Sequence, residues 1–304
     1  MTNTDSPSAC PAPSGEPVGL IGVGLMGSAM VERLVGGGVQ VLGWSRSPDS
    51  RATLEKLGGK VLNDAGEVFR RCDRVFLSLF DSKVTKELLQ QHEAALRAGQ
   101  IVMDTATGDP QDAVTLSRMM AKHGVIYLDA TISGNSDQLR RKEVLVMVGG
   151  PRDAFQKCEP LFQFFARKAM HTGDCGSGAM MKLVTNLVLG LNRAALAEGL
   201  VFAHLLGLDG ALSLAVLKES MAYSRMMDVK GEKMLKGDFT PQARLSQHLK
   251  DVRLMIDAAA AAGARLPLSE THRHILELAE EAGLGQMDNS ALIRAIEQMK
   301  GPAK

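Results

Sequence analysis

Short apolar runs recur along the first half of the chain, at residues 18–21, 39–44, 74–79, 101–104, 125–129 and 144–148. A stretch of helical period separates each run from the next, and that alternation predicts βαβ units and a largely parallel sheet. Past residue 178 the strand signals stop. Residues 179–206 form one long helical pattern whose apolar positions (Met180, Met181, Leu183, Val184, Leu187, Val188, Leu191, Leu196, Leu200, Phe202, Leu205) nearly encircle it. At 1.5 Å per residue it runs on the order of 40 Å, so it is expected to be buried on several sides and to join two domains or two chains. The remainder, with an Ala-rich stretch at 258–262 and a last helix over 290–299, reads as helical, with stops at Gly207, Pro241, Pro267 and Gly283. The expected architecture is α/β: a doubly wound sheet over 17–178, joined by the long helix to an all-α domain over 179–304. Residues 1–16, rich in Ser, Pro, Thr and Gly without periodicity, are expected to be a disordered tail.

Composition narrows the function. The 304 residues carry 35 Lys and Arg against 34 Asp and Glu, and 45% are apolar, which excludes a wholly disordered chain. Net charge of +1 with nine Phe, two Tyr and one Trp offers neither the basic surface nor the stacking platforms of a nucleic-acid binder. No apolar run reaches about 18 residues and the first residues lack a secretory pattern, so no membrane association and a cytoplasmic location are expected. Cys10, Cys72, Cys158 and Cys175 are scattered and read as free thiols. No metal site is expected either, since His272 and His274 would point to different faces of a helix.

The chemistry begins at Gly22-Val23-Gly24-Leu25-Met26-Gly27, a GxGxxG pattern that follows a strand and opens a helix. In that setting Gly22 allows the tight turn, Gly24 lets a pyrophosphate reach the backbone beside Leu25 and Met26, and Gly27 lets helix pack on strand. Unpaired N–H groups at the helix start complete the phosphate site of a Rossmann domain. The second strand runs into Ser45-Arg46-Ser47, and no acid lies between Gln40 and Pro48 to bind a ribose 2′-hydroxyl. A guanidinium flanked by two hydroxyls suits a 2′-phosphate instead, so NADP(H) is the expected cofactor, with NAD(H) possible.

A second pattern, Gly176-Ser177-Gly178, leads into the long helix, which carries Lys182 and, one turn on, Asn186. Lys182 stands among apolar residues, and burial disfavours the charged ammonium, as a general acid or base near neutral pH requires. Asn186 can orient that amine or bind a substrate oxygen.

With these motifs together the chain resembles the β-hydroxyacid dehydrogenase family, which includes 3-hydroxyisobutyrate dehydrogenases and tartronate semialdehyde reductases. Four segments carry the likeness: residues 22–27, Asp129-Ala130-Thr131-Ile132-Ser133-Gly134-Asn135, the block 176–186, and Lys250-Asp251. The resemblance implies a Rossmann domain and an all-helical domain, a homodimer or homotetramer paired through the helices, and hydride transfer between a nicotinamide and a small β-hydroxyacid or aldehyde acid. It implies Lys182 as catalytic acid/base, Asn186 as substrate-orienting residue, and Ser133, Gly134 and Asn135 as the substrate clamp. Lys250 would stand at the substrate or nicotinamide end, and Leu79, Phe80 and Thr107 would meet the cofactor. Three positions depart from the family pattern: Thr131 for its usual Pro, Asn135 for its usual second Gly, and Ala106 for a frequent Ser. The first two are expected to narrow the clamp or add a donor to it. An imine reductase and a non-catalytic NADP-binding interaction module share the architecture. The retained Lys182 speaks against both.

Overall fold

The structure, a computed structural model, describes residues 15–299, so all but the last two residues of the expected tail at 1–16, Cys10 included, lie outside the described residues. The chain divides into two compact units, 1–182 and 183–304.

In the first unit one sheet is built from β1 (Val18–Ile21), β2 (Val41–Trp44), β3 (Lys60–Val61), β4 (Arg74–Leu77), β5 (Ile101–Asp104), β6 (Ile126–Ser133), β7 (Val144–Gly149) and β8 (Ala166–Gly173). The spatial order is β3-β2-β1-β4-β5-β6-β7-β8, and every neighbouring pair is parallel except β6 with β7. Progress along the sheet reverses between β1 and β4, and the crevice outside the carboxyl ends of strands at such a point is where open α/β sheets take ligands. Successive side chains point to opposite faces. Leu20, Phe76, Met103 and Leu128 pack on one side with Phe162 and Phe165, while Ile21, Leu77, Val102 and Tyr127 pack on the other with Phe69 and Leu116. Burial on both faces explains why the central strands read as continuous apolar runs.

Two strands left no such signal. β3 is only two residues long, and β8 is an edge strand that opens with exposed Arg167 and Lys168, charges that discourage pairing with another chain. β6 runs four residues past its expected end because β7 pairs with it from Asp129 opposite Gly149 to Ser133 opposite Leu145. β4, expected to reach residue 79, ends at Leu77.

The long helix spans Ser177–Leu205, and Gly207 follows it with φ +77°. In the second unit come helices Gly210–Glu219, Arg225–Lys236, Leu245–Ala261 and Pro267–Glu281, the 3-10 turn Asn289–Ala291, and helix Leu292–Gln298. Pro267 begins a helix instead of stopping one, as its missing N–H and preset φ favour at a first helical position. Leu196, Leu200, Leu214, Leu249, Val252, Leu276 and Leu292 form this unit's core. Beside it, fully buried Asp288 accepts hydrogen bonds from Lys230 Nζ, the backbone N–H groups of Gln242, Ala243 and Ser290, and the Ser290 hydroxyl. Burial opposes its ionisation, but the hydrogen bond and charge of Lys230, together with the hydrogen bonds from Gln242 and Ser290, outweigh that and hold the carboxyl at about 2.

The long helix departs from expectation in one respect. Arg193, Leu196, Ala197 and Leu200 are buried, yet Val184, Val188, Phe202 and Leu205 remain exposed. By length and composition this helix could cross a membrane, but one of its faces is already occupied by the helical core.

Candidate active site

At the carboxyl ends of β1 and β2 the three glycines have separate jobs. Gly22 turns with φ +96° while its N–H bonds to the Trp44 carbonyl at 2.9 Å. A Cβ on Gly27 would lie 2.0 Å from the Gly22 carbonyl oxygen, so the helix Leu25–Gly36 can approach β1 only through glycine there. Gly24 faces open space. That helix has no side-chain cap and no acid in its first turn, which leaves its leading N–H groups for an anion.

The end of β2 is locked to this turn. Ser45 is buried and its Oγ accepts from the Val23 N–H, whereas the Ser47 Oγ caps helix Pro48–Lys56 by accepting from the Ser50 N–H. Both hydroxyls therefore have structural partners as acceptors, and their O–H hydrogens are what each can give a ligand. Arg46 is exposed, with no hydrogen-bond acceptor for its guanidinium among the described residues. Sequence reasoning missed Arg51, whose Nη1 donates to the carbonyls of Ser45 (2.8 Å) and Arg46 (2.9 Å) and holds the loop in place. Its only sequence signal was an arginine one turn into the helix that Ser47 caps.

Farther along the same edge, Leu79 and exposed Phe80 follow β4, and half-buried Thr107 follows β5. Ala106, in place of a serine, donates its N–H to Asp104 Oδ1, and Asp104 Oδ2 accepts from the Tyr127 hydroxyl at 2.6 Å. Burial raises the Asp104 carboxyl and, together with that carboxylate, raises Tyr127 well above its ordinary range.

The start of the long helix is docked on β6. Asp129 accepts from the N–H groups of Gly176 (2.9 Å) and Ala179 (2.8 Å), and burial raises its carboxyl despite those two bonds. Buried Thr131 donates its hydroxyl to the Gly178 carbonyl at 2.9 Å. This corrects the expectation that Thr131 narrows the substrate clamp: it faces the helix instead. The docking carries Lys182 to the end of β6, where its buried Nζ donates to the Ile132 carbonyl at 2.7 Å, next to half-buried Ser133. Gly134 follows with φ +138°. Asn135 then begins helix Ser136–Arg140 with a capping box: its Oδ1 accepts from the Gln138 N–H, and the Gln138 side chain accepts from the Asn135 N–H. Its carboxamide oxygen is thus committed to the backbone, and only the amide nitrogen is left to serve a ligand.

Asn186 lies in the second unit, four residues beyond Lys182 on the same helix. It is buried and donates Nδ2–H to Asp251 Oδ2 at 3.0 Å. Lys250 is half-buried, and because Asp251 is buried and hydrogen-bonded the two are not a solvated surface pair. Beneath them the rings of His248 and His272 stand 5.2 Å apart against Gly190, where a Cβ would come within 2.5 Å of His248 Nε2. Burial and the Arg193 charge lower His272 to about 4. The folded chain therefore keeps this ring neutral while the unfolded chain takes up a proton below about 6.5, so stability falls as pH drops from about 6.5 to 4. The expected loss is about 3 kcal/mol, and His272→Gln should remove most of it. Urea midpoints at pH 7 and pH 4.5 check this, and equal losses in both proteins would exclude His272 as the cause.

Residues 17–173 match the family described as the NAD binding domain of 6-phosphogluconate dehydrogenase. Residues 176–296 match that described as NAD-binding of NADP-dependent 3-hydroxyisobutyrate dehydrogenase. The chain is 30% identical over 285 residues to 2-hydroxy-3-oxopropionate reductase of Escherichia coli (strain K12), covering 93% of this chain and 97% of that one. It is 27% identical over 286 residues to glyoxylate/succinic semialdehyde reductase 2, chloroplastic, of Arabidopsis thaliana, covering 93% and 80%. Among solved structures, Mycobacterium tuberculosis 3-hydroxyisobutyrate dehydrogenase with L-serine is similar at a TM-score of 0.86 and 27% identity, over 92% of this chain and 99% of that one.

Proposed function

The chain belongs to the β-hydroxyacid dehydrogenase family of NAD(P)-dependent oxidoreductases, and from that premise we propose that it interconverts a small aldehyde acid and its hydroxyacid with NADP(H), using Lys182 as general acid/base. The observation that carries this reading is the buried Lys182 amine held on the Ile132 carbonyl beside Ser133 and Gly134. A nicotinamide dinucleotide, when bound, supplies the hydride exchanged with the carbonyl carbon. The chain's own residues fit one: the open approach at Gly24 and the uncapped helix start suit a pyrophosphate, and Ser45, Arg46 and Ser47 suit a 2′-phosphate. Leu79, Phe80 and Thr107, which follow β4 and β5 at the same edge, would border the rest of the cofactor.

Lys182 gives a proton to the oxygen of the forming alkoxide in reduction and takes it back in oxidation. Its bond to the Ile132 carbonyl orients Nζ so that the transfer needs no side-chain search. Asn186 orients the same substrate oxygen, Ser133 and the Gly134 backbone hold the carboxylate, and the Asn135 amide nitrogen borders them. A chain of this kind acts as a pair or more of copies, since Val184, Val188, Phe202 and Leu205 leave an apolar face of the long helix for a second copy. Light scattering at low micromolar concentration is expected to find a dimer or tetramer; a species of one chain's mass overturns this.

The activity test follows NADPH consumption with glyoxylate, succinic semialdehyde and 2-hydroxy-3-oxopropionate, the acids in the relatives' names, and then with cyclic imines. Turnover of at least one aldehyde acid is expected. Turnover of imines alone would replace the reading with an imine reductase, and NADPH binding without turnover of any of them with a non-catalytic module.

A further inference from the structure

The backbone N–H groups of Arg46 and Ser47 have no acceptor among the described residues, and both residues are exposed just past the end of β2. Their direction follows from Arg51. Its Nη1 donates to the carbonyls of both Ser45 and Arg46, at 2.8 and 2.9 Å, so two successive carbonyls converge on one atom. A trans peptide points its C=O and its N–H to opposite sides. The Arg46 N–H shares a peptide with the Ser45 carbonyl, and the Ser47 N–H shares one with the Arg46 carbonyl, so both N–H groups face away from Arg51. Ser45 ties the same segment to the nucleotide turn, because its Oγ accepts from the Val23 N–H. The start of the next helix offers an anion little. It opens with Pro48, which has no N–H, commits the Ser50 N–H to the Ser47 Oγ, and carries Asp49 in its first turn. Neither Arg46 nor Arg51 pairs with a carboxylate among the described residues, so two uncompensated positive charges flank the two unpartnered N–H groups.

We propose that Arg51 is a specificity-determining positioning residue for the cofactor: by drawing both carbonyls onto its guanidinium it presents the N–H groups of Arg46 and Ser47 to the 2′-phosphate, beside the Arg46 side chain. This deepens the reading of NADP(H) as the cofactor and rests on it. Without Arg51 either peptide can turn over, and a carbonyl oxygen in place of an N–H repels a phosphate that carries about two negative charges. The 2′-hydroxyl of NADH donates to a carbonyl as readily as it accepts from an N–H, so the same turn costs it little. Arg51 therefore separates the two cofactors without touching either.

The test uses the full chain, with cofactor affinity read by fluorescence titration. Arg51→Met keeps the length of the side chain and loses its donors. NADPH is expected to bind it roughly tenfold more weakly, about what one charge-assisted hydrogen bond supplies, while NADH shifts by less than about twofold. Arg51→Lys, whose ammonium can still reach a carbonyl, should recover part of the difference. Adding Arg51→Met to Arg46→Ala should weaken NADPH further, because the backbone N–H groups of residues 46 and 47 remain when the Arg46 side chain is gone. A readout free of turnover comes from protein labelled with 15N-serine, in which the Ser47 amide signal is assigned by its absence in Ser47→Thr, a change that keeps the helix cap. At saturation, adenosine 2′-monophosphate should draw the Ser47 amide proton downfield in the wild type, as a hydrogen bond to phosphate does, and move it far less in Arg51→Met. An unchanged NADPH-to-NADH preference in Arg51→Met, or an equal downfield shift in both proteins, overturns the proposal. Equal weakening of NADPH and NADH overturns it too, since that is the mark of a loosened fold. Should Arg51→Met fail to fold, Arg51→Ala is read in the same way. A wild type that prefers NADH, or that does not bind adenosine 2′-monophosphate, would instead overturn the cofactor reading on which the proposal stands.

Discussion

Lys182→Ala is expected to lower turnover by roughly 10²–10⁴ on the best aldehyde acid while leaving NADPH affinity within a few-fold of wild type, as the loss of a general acid/base does. The separation is built into the first unit. The nucleotide loop at the ends of β1 and β2 owes nothing to the lysine, whereas Nζ has been brought to the end of β6 by the docking of Gly176, Gly178 and Ala179 on Asp129 and Thr131. Truncation leaves that docking intact, so the helix start should persist and the defect should fall on the chemical step. Lys182→Arg sharpens the test. A guanidinium keeps the charge and can still donate to the Ile132 carbonyl, but it does not release a proton near neutral pH. If arginine restored turnover, Lys182 would act by charge alone; unchanged turnover in the alanine variant would remove it from the mechanism. Cofactor affinity by fluorescence titration and kcat by absorbance make the two measurements.

Arg46→Ala is expected to raise the KM for NADPH by roughly one to three powers of ten and to change that for NADH little, and the wild type is expected to prefer NADPH. A charge-assisted hydrogen bond to a phosphate contributes about 1.5–3 kcal/mol, and a guanidinium can make one or two. NADH lacks the 2′-phosphate and has nothing there to lose. Arg46 has no acceptor of its own among the described residues, so its removal costs the fold little, while Arg51 continues to hold the Ser45 and Arg46 carbonyls. Equal effects on both cofactors would move Arg46 to the shared adenosine, and a wild-type preference for NADH would overturn the cofactor reading.

The most legible features in the sequence were those whose physics is local. The apolar runs marked six of eight strands because central parallel strands are buried on both faces, and the change of period after residue 178 marked the turn to helices. The spacing of Gly22, Gly24 and Gly27 announced a turn, an open approach and a close packing, since each is a property of one residue's missing side chain. Lys182 and Asn186 declared themselves by standing one helical turn apart.

What only the tertiary structure decided depends on partners far away in sequence. Nothing near Thr131 says that its hydroxyl will meet Gly178, 47 residues on, and nothing near Ala166–Gly173 says that an edge strand needs no apolar run. The capping role of Asn135 stayed hidden, because it requires a helix that the apolar pattern of five residues cannot announce. Arg193 sat unremarked within the long apolar helix, because an arginine's burial is set by the helices that close over it. Backbone conformation and helical period are written in neighbouring residues; the protonation and orientation of a buried polar side chain are set by whichever distant groups the fold brings within a few ångströms.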